Sequence, residues 1–321
     1  MLFVVAASLS LTTPLLAGID CPKLAVNPLT DADRGKGGVT ASEDIAAMEV
    51  IARIPRSLVL SPCAASIAAA DKAKEPYDCW AAELTAAALL QSGDSWISSW
   101  DHGGWATNNE DLGRPGVRWG ADDVTGSLLA TGSDNDKNIY AKFRFPCHPV
   151  VHRAGLGLAA LTKTDRKVAL EALIQRGTAF RAMRDGLIPL IEEPKDYGRG
   201  SLRDRRSWDV ADALSKVLSR ATVLEDDGHV IVPLHERLAH CDERGENAKL
   251  VGRDPRDESD GTTVLLVATR DIAAGEAITR DYNIAPRLPL DESDGPLRLL
   301  LQFGLPPKAW GEVSPWSESE E

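Results

Sequence analysis

A chain of 321 residues with 43% apolar side chains can bury a full core, as one large domain or two small ones, so disorder is excluded as its main state. A formal charge of -12 argues against nucleic acid, which needs clustered lysine and arginine to neutralise phosphates, and suits a basic partner. The five cysteines, Cys21, Cys63, Cys79, Cys147 and Cys241, are scattered without a CxxC pair, so they write neither a disulfide framework nor a zinc cluster and fit a reducing compartment best.

Residues 1–23 open with "LFVVAASLSLTTPLLAG", apolar with small residues near its end but with no Lys or Arg before Lys23. This reads as a cleaved targeting segment or as an apolar first helix, and both stay open. Ser8, Ser10, Thr12, Thr13 and Pro14 interrupt the run, which speaks against a spanning helix. No other stretch is long and apolar enough to cross a bilayer. No membrane association is therefore expected once any such segment is removed, and the compartment stays open between cytoplasm, nucleus and an organelle.

Within 24–75, short runs rich in Ile and Val from Val39 to Leu60, broken by "ASEDIAAME" and Pro55, predict strands joined by turns. Residues 76–206 read as mainly helical. Ala and Leu recur at three- and four-residue spacing over Trp80–Leu90 and Leu156–Ile174, and the Gly-, Asn- and Asp-dense "DHGGWATNNEDLGRPGVR" between them is a loop. The charged "EEPKDYGRGSLRDRR" is a connector. From 207 to 307 the pattern returns to strands after one helix, which is expected to start at Ser207 as N-cap, with Asp209 in its first turn. Trp208, Ala211, Leu214, Val217 and Leu218 share its face, and Ser219 and Arg220 close it. Then "HVIVPL" reads as a strand, and "AKLV" with "TTVLLVA" as two arms around "GRDPRDESDG". Residues 308–321 form an acidic, solvated tail. The order β, α, β gives an α+β fold of small sheets split by a mainly helical insertion.

"DIAAMEVI" (44–51) and "DIAAGEAI" (271–278) agree at six of eight positions, read off the two strings. They read as two strand corners of similar turn chemistry, the second with Gly275 where positive φ is easy and the first with Met48. "CHPVVH" sets His148 and His152 at i, i+4, but Pro149 breaks the helix that would align them, so no metal site is expected there. The tryptophans of "SWISSWDHGGW" read as packing.

Five segments in this order, "GKGGVTASEDIAAMEVIARIPRSLVLS", "SWDVADALSKVLSRA", "VIVPLHERLAHCDERGENAKLV", "TRDIAAGEAITRDYN" and "LLLQFGLPP", resemble the SET-domain methyltransferases. The branch they are similar to is the Rubisco large-subunit methyltransferase group, whose members methylate lysine or histidine in non-histone proteins. The resemblance runs from about residue 24 to 307. It implies a SET core with a helical insertion, S-adenosyl-L-methionine as cofactor, and a protein substrate presenting lysine or histidine.

Residue by residue, it implies that Tyr282 lines the substrate channel as the catalytic tyrosine, with Glu276 shaping the turn ahead of it. Gly35 and Gly37 match the glycine turn that approaches the cofactor, with Arg34 and Lys36 contacting it through their backbones. Ser219 and Arg220 match the "SR" that meets its amino-acid end. His240 matches the histidine on the adenine side, and Asn247 and Ala248 the "NA" that follows. Read by themselves, Tyr282 is a core-edge residue, Arg220 a helix-terminal cation and His240 a core histidine.

The cofactor positions also carry the departures. Glu236 replaces an aspartate, Ala239 an asparagine whose carbonyl accepts from the cofactor ammonium, and "QFGL" replaces "YGF", so Phe303 lacks a hydroxyl and Leu305 a ring. The chain ends soon after Pro307, where relatives carry a helical substrate-binding domain. The implied activity is protein-lysine N-methylation. Histidine methylation by the same channel, and a non-catalytic SET-like module for protein interaction or cofactor sensing, remain as alternatives.

Overall fold

A computed structural model of the chain describes residues 18–26, 39–71, 80–91, 183–193, 202–225, 227–241, 245–252 and 261–288, with 291, 298 and 302. Its elements in chain order are β1 (Leu24–Val26), β2 (Val39–Ala41), β3 (Val50–Pro55), α1 (Ala64–Ala70), α2 (Trp80–Leu90), α3 (Leu202–Arg220), β4 (Thr222–Leu224), β5 (Gly228–Val230), β6 (Ala239–His240), β7 (Ala248–Val251), β8 (Thr263–Ala268) and β9 (Thr279–Arg280). Small sheets and helices of this kind make an α+β fold, as the pattern of the sequence requires. The expected helix over Leu156–Ile174, the loop over 101–118, the "CHPVVH" and tryptophan clusters and the acidic tail lie outside the described residues.

Strand β8 is the centre of an antiparallel sheet of order β3-β8-β7, and β1–β2 and β4–β5 form two-stranded partners. The expected arms "AKLV" and "TTVLLVA" do pair, Leu250 opposite Leu266. "TVLLVA" places Val264, Leu265, Leu266 and Ala268 in the interior, since a central strand is covered on both faces. Ile51, Ile54, Leu234, Leu238, Ile272 and Ile278 pack in the same cluster. "HVIVPL" contributes only β5, after which Ile231 makes a single bridge to Leu60.

Helix α2 is buried over Ala81, Ala82 and Leu84 to Ala88, and its alanines leave room for α3 to pack closely. Helix α3 presents Val210, Leu214, Val217 and Leu218 to the interior, each burial contributing about 1.5–3 kcal/mol. The helix starts at Leu202, so Ser207 is not its N-cap, Asp209 is not in its first turn, and "LRDRR" belongs to the helix rather than to a connector. Arg and Leu are good helix formers, so the charge of that segment does not stop the helix. The predicted end at Ser219 and Arg220 holds.

The two echoing segments are joined to each other. Ile45 and Ile272 exchange both backbone hydrogen bonds at 2.9 Å. Asp44 Oδ1 accepts from Ala274 N and Asp271 Oδ1 from Ala47 N, both at 2.8 Å. Glu49 accepts from Ala46 N at 3.1 Å, and Glu276 from Ala273 N at 3.2 Å. Each glutamate also meets a cation, Lys23 and Arg270 respectively. The corners are thus related by a local near-twofold axis, and each satisfies the backbone donors of the other. Met48 and Gly275 occupy equivalent left-handed positions, at φ 65° and 81°.

Candidate functional site

Strands β6 and β9 run parallel for two residues only, with Ala239 opposite Thr279 and His240 opposite Arg280. A ladder this short needs outside support, and Asn247 supplies it from the start of β7. Its Nδ2 donates to Ala277 O at 2.8 Å while its Oδ1 accepts from Thr279 N at 2.7 Å, a double task that an amide can do and a carboxylate cannot. Asn247 is fully buried, so both bonds are shielded from water.

Past the pair, Cys241 N donates to Arg280 O at 2.9 Å, and Asp281 Oδ1 caps Asn283 N at 2.8 Å. That cap turns the chain into one 3-10 turn over Tyr282–Ile284, so the strand ends at Arg280 and Tyr282 stands just beyond it. The Tyr282 hydroxyl donates to Leu238 O at 2.7 Å. Its ring stacks on His240 with centroids 5.1 Å apart, and the Arg280 guanidinium carbon lies 5.0 Å from the ring centroid. Burial raises the Tyr282 pKa and lowers that of His240, so at neutral pH the site holds a phenol and a neutral imidazole. His240 Nδ1 accepts from Tyr282 N at 3.3 Å, and since a backbone N–H only donates, that ring nitrogen carries a lone pair.

Arg280 connects this corner to the end of α3. It is buried, and its Nη2 donates to Ser219 O at 2.9 Å. Ser219 Oγ donates to Lys216 O and accepts from Arg220 Nη1, both at 3.0 Å. Arg220 and Arg237 each place Nε 3.0 Å from a carboxylate oxygen of Glu236. Three arginines therefore surround one buried carboxylate. His235, also buried, is held neutral: burial lowers its pKa well below the ordinary range, and Arg280 adds to the effect. Among the described residues, Arg280 Nε and His235 Nδ1 are buried polar atoms without a hydrogen bond.

Of the residues singled out in the sequence, Ser219, Arg220, Glu236, Ala239, His240 and Tyr282 meet around Arg280. Arg34, Gly35, Lys36, Gly37 and Phe303 lie outside the described residues. Ala239 is buried at 2% exposure and offers no side-chain acceptor. The longer Glu236 is taken up by two ion pairs. Sequence reasoning missed Arg280 itself, although the alternation Ile278, Arg280 set a charge on a core-facing position. A cleft of about 220 Å³ opens beside the cluster. His235 and Arg280 lie at its buried side, Glu246 and Asp281 add acid, and the exposed Val223 and Ile284 edge it.

No family model matches the chain, and no curated protein matches it. Among solved structures, the SET domain of LSMT bound to lysine and AdoHcy is similar at 14% identity and a TM-score of 0.45, covering 91% of this chain and 55% of that one. Rubisco LSMT bound to sinefungin and monomethyllysine is similar at 16% identity and a TM-score of 0.45, covering 91% and 54%. The chain spans about half the length of the structures it matches. Among the described residues no helix is long and apolar enough to cross a membrane.

Proposed function

We propose that the chain binds S-adenosylmethionine and transfers its methyl group to a lysine of a protein substrate. The observation that carries this reading is the convergence of three distant segments, 219–220, 236–240 and 280–282, on one half-buried tyrosine, the same segments whose order in the sequence resembles the SET methyltransferases.

When bound, the cofactor supplies a sulfonium whose methyl group is displaced in line by an amine lone pair. The residues of the chain have to position, dry and deprotonate. The buried Arg280 guanidinium, whose Nε has no hydrogen bond among the described residues, with His235 Nδ1 likewise, fits the carboxylate of an amino-acid ligand. Arg220 and Arg280 are the residues that would hold it. The ammonium of such a ligand meets no side-chain acceptor at Ala239, which weakens binding by about 1–3 kcal/mol.

Tyr282 performs the second task. Its proton is committed to Leu238 O and the Arg280 guanidinium meets its oxygen, so the hydroxyl is held as an acceptor that an incoming amine or a polarised methyl can share. Burial keeps it a phenol and penalises the charged form of an entering lysine, lowering the pKa of that amine. Its ring is held by stacking on His240 and by the Arg280 guanidinium over it, which supports the alignment on which in-line transfer depends.

A second reading has its own support: the bare Ala239 favours a module that keeps the scaffold and senses the cofactor without turnover. Calorimetric titration with S-adenosylmethionine, for the natural chain and for Ala239→Asn, followed by a radiolabelled methyl-transfer screen, separates the two. Transfer to a protein lysine supports the enzyme. Binding without transfer in both versions selects the module, and absence of binding removes the cofactor from the account.

A further inference from the structure

The register of the β6–β9 pair has a chemical result. Because His240 lies opposite Arg280 in a parallel pair, the next residues, Cys241 and Asp281, leave the strands side by side, while the His240 ring swings over the same edge to stack on Tyr282. His240 Nδ1 lies 4.0 Å from Cys241 Sγ and 4.0 Å from Asp281 Oδ1. All three donor atoms fall within 4.8 Å of one another. We propose that His240, Cys241 and Asp281 form a binding site for a borderline-soft divalent cation of the Zn2+ class, supplying three of its donors.

A tetrahedral zinc with Zn–N about 2.0–2.1 Å, Zn–S about 2.3 Å and Zn–O about 2.0–2.2 Å sets its donors roughly 3.4–3.6 Å apart. The two separations of 4.0 Å need a contraction of roughly half an ångström, and the third, within 4.8 Å, needs at most about 1.2 Å, a range that staggered side-chain rotamers of Cys241 and Asp281 can span. Thiolate, imidazole and one carboxylate select against Ca2+ and Mg2+, which take oxygen donors in larger number. Cys241 forms no disulfide and is half-buried, as are the other two donors. The ring nitrogen is ready as a ligand, because Tyr282 N already donates to its lone pair. That bond is long at 3.3 Å, so the cation displaces a weak partner. On binding, the thiol proton leaves to solvent as the sulfur–metal bond forms, so uptake releases a proton and tightens as pH rises.

The test uses the full-length chain, metal-free and kept reduced, titrated with Co2+. The expected result is a thiolate-to-cobalt charge-transfer band with tetrahedral visible bands, bleached by added Zn2+. Cys241→Ser abolishes the charge-transfer band and weakens Zn2+ binding at least as much as the roughly 10–100-fold that losing an outer partner costs. Asp281→Asn keeps an acceptor for Asn283 N and so preserves the turn, but it loses the anionic ligand and weakens Co2+ by about 10-fold or more. Cys63→Ser, at an exposed cysteine outside the cluster, leaves the spectrum unchanged. No charge-transfer band in the natural chain, or a band that survives Cys241→Ser, overturns the proposal. Should Cys241→Ser fail to fold by circular dichroism, Asp281→Asn decides alone, and unchanged cobalt affinity there overturns it equally.

Discussion

Glu236 is the one buried carboxylate among three arginines, and neutralising it is the sharpest test of the cluster. In Glu236→Gln the side chain keeps its shape and one carbonyl acceptor but loses its charge. Arg220, 3% exposed, then remains in the interior without that counter-charge. Removing one partner of a buried ion pair costs about 3–5 kcal/mol. The lower end applies here, because the 3.0 Å contacts of both Nε atoms lack hydrogen-bond alignment, so the pair is held by charge rather than by direction. The expectation is a loss of about 3 kcal/mol in urea unfolding, little changed by raised salt because the pair is shielded. Arg220→Met combined with Glu236→Leu should recover only part of that loss, since one ion pair gives way to apolar packing while Arg237 and Arg280 still lose the carboxylate. A Glu236→Gln loss below about 1 kcal/mol, or one that disappears in salt, would refute the claim that the charge is buried and paired.

Tyr282→Phe should lower methyl transfer by about 10²–10³-fold, the range for removing one oriented polar group from a reacting centre, while calorimetric affinity for S-adenosylmethionine changes little; an equal loss in both would make the hydroxyl a mere structural anchor. Met48→Gly relieves a left-handed side chain that is 77% exposed, and should stabilise the fold by about 0.5–1 kcal/mol in denaturant titration. Gly275→Ala, at the equivalent position, should cost about 1 kcal/mol through φ alone, because an added Cβ meets nothing within 4 Å. His235 is held neutral in the fold below its ordinary value of 6.5, so the unfolded chain binds the extra proton first. Its stabilising effect is complete above that value and declines as pH falls beneath it, by at most about 1.4 kcal/mol per pH unit. His235→Gln should flatten the acid side of the stability profile, and an unchanged slope would count against a buried neutral imidazole.

The parts of the fold that were legible in the sequence are those with a local period. Short apolar runs bounded by turn residues marked β3, β7 and β8, and three- and four-residue spacing marked α2, because these patterns express burial on one face or both. The start of α3 was misjudged because "LRDRR" looks like a connector when charge is weighed above helix propensity. The site was legible as a set of segments and not as contacts. Nothing local announces that Arg280 joins the end of α3 to Tyr282, or that a two-residue parallel pair sets Cys241 beside Asp281. Those relations depend on register between segments far apart in the chain, which the side-chain pattern of a short strand specifies weakly. Likewise "DIAAMEVI" and "DIAAGEAI" could be seen to be alike, yet their mutual capping follows only once the two corners meet.

That capping ties the order of events in folding to the order of synthesis. Asp44 finds its acceptor role only at Ala274, 230 positions later, and Asp271 answers at Ala47. Until a ribosome has delivered both corners, each leaves backbone donors to water and its bend unsupported, so this end of the core cannot be completed while the chain is still being made. Closure of so long a loop is slow and costs entropy before any bond returns it. The nascent protein therefore waits, with its early strands exposed, for a matching piece of itself.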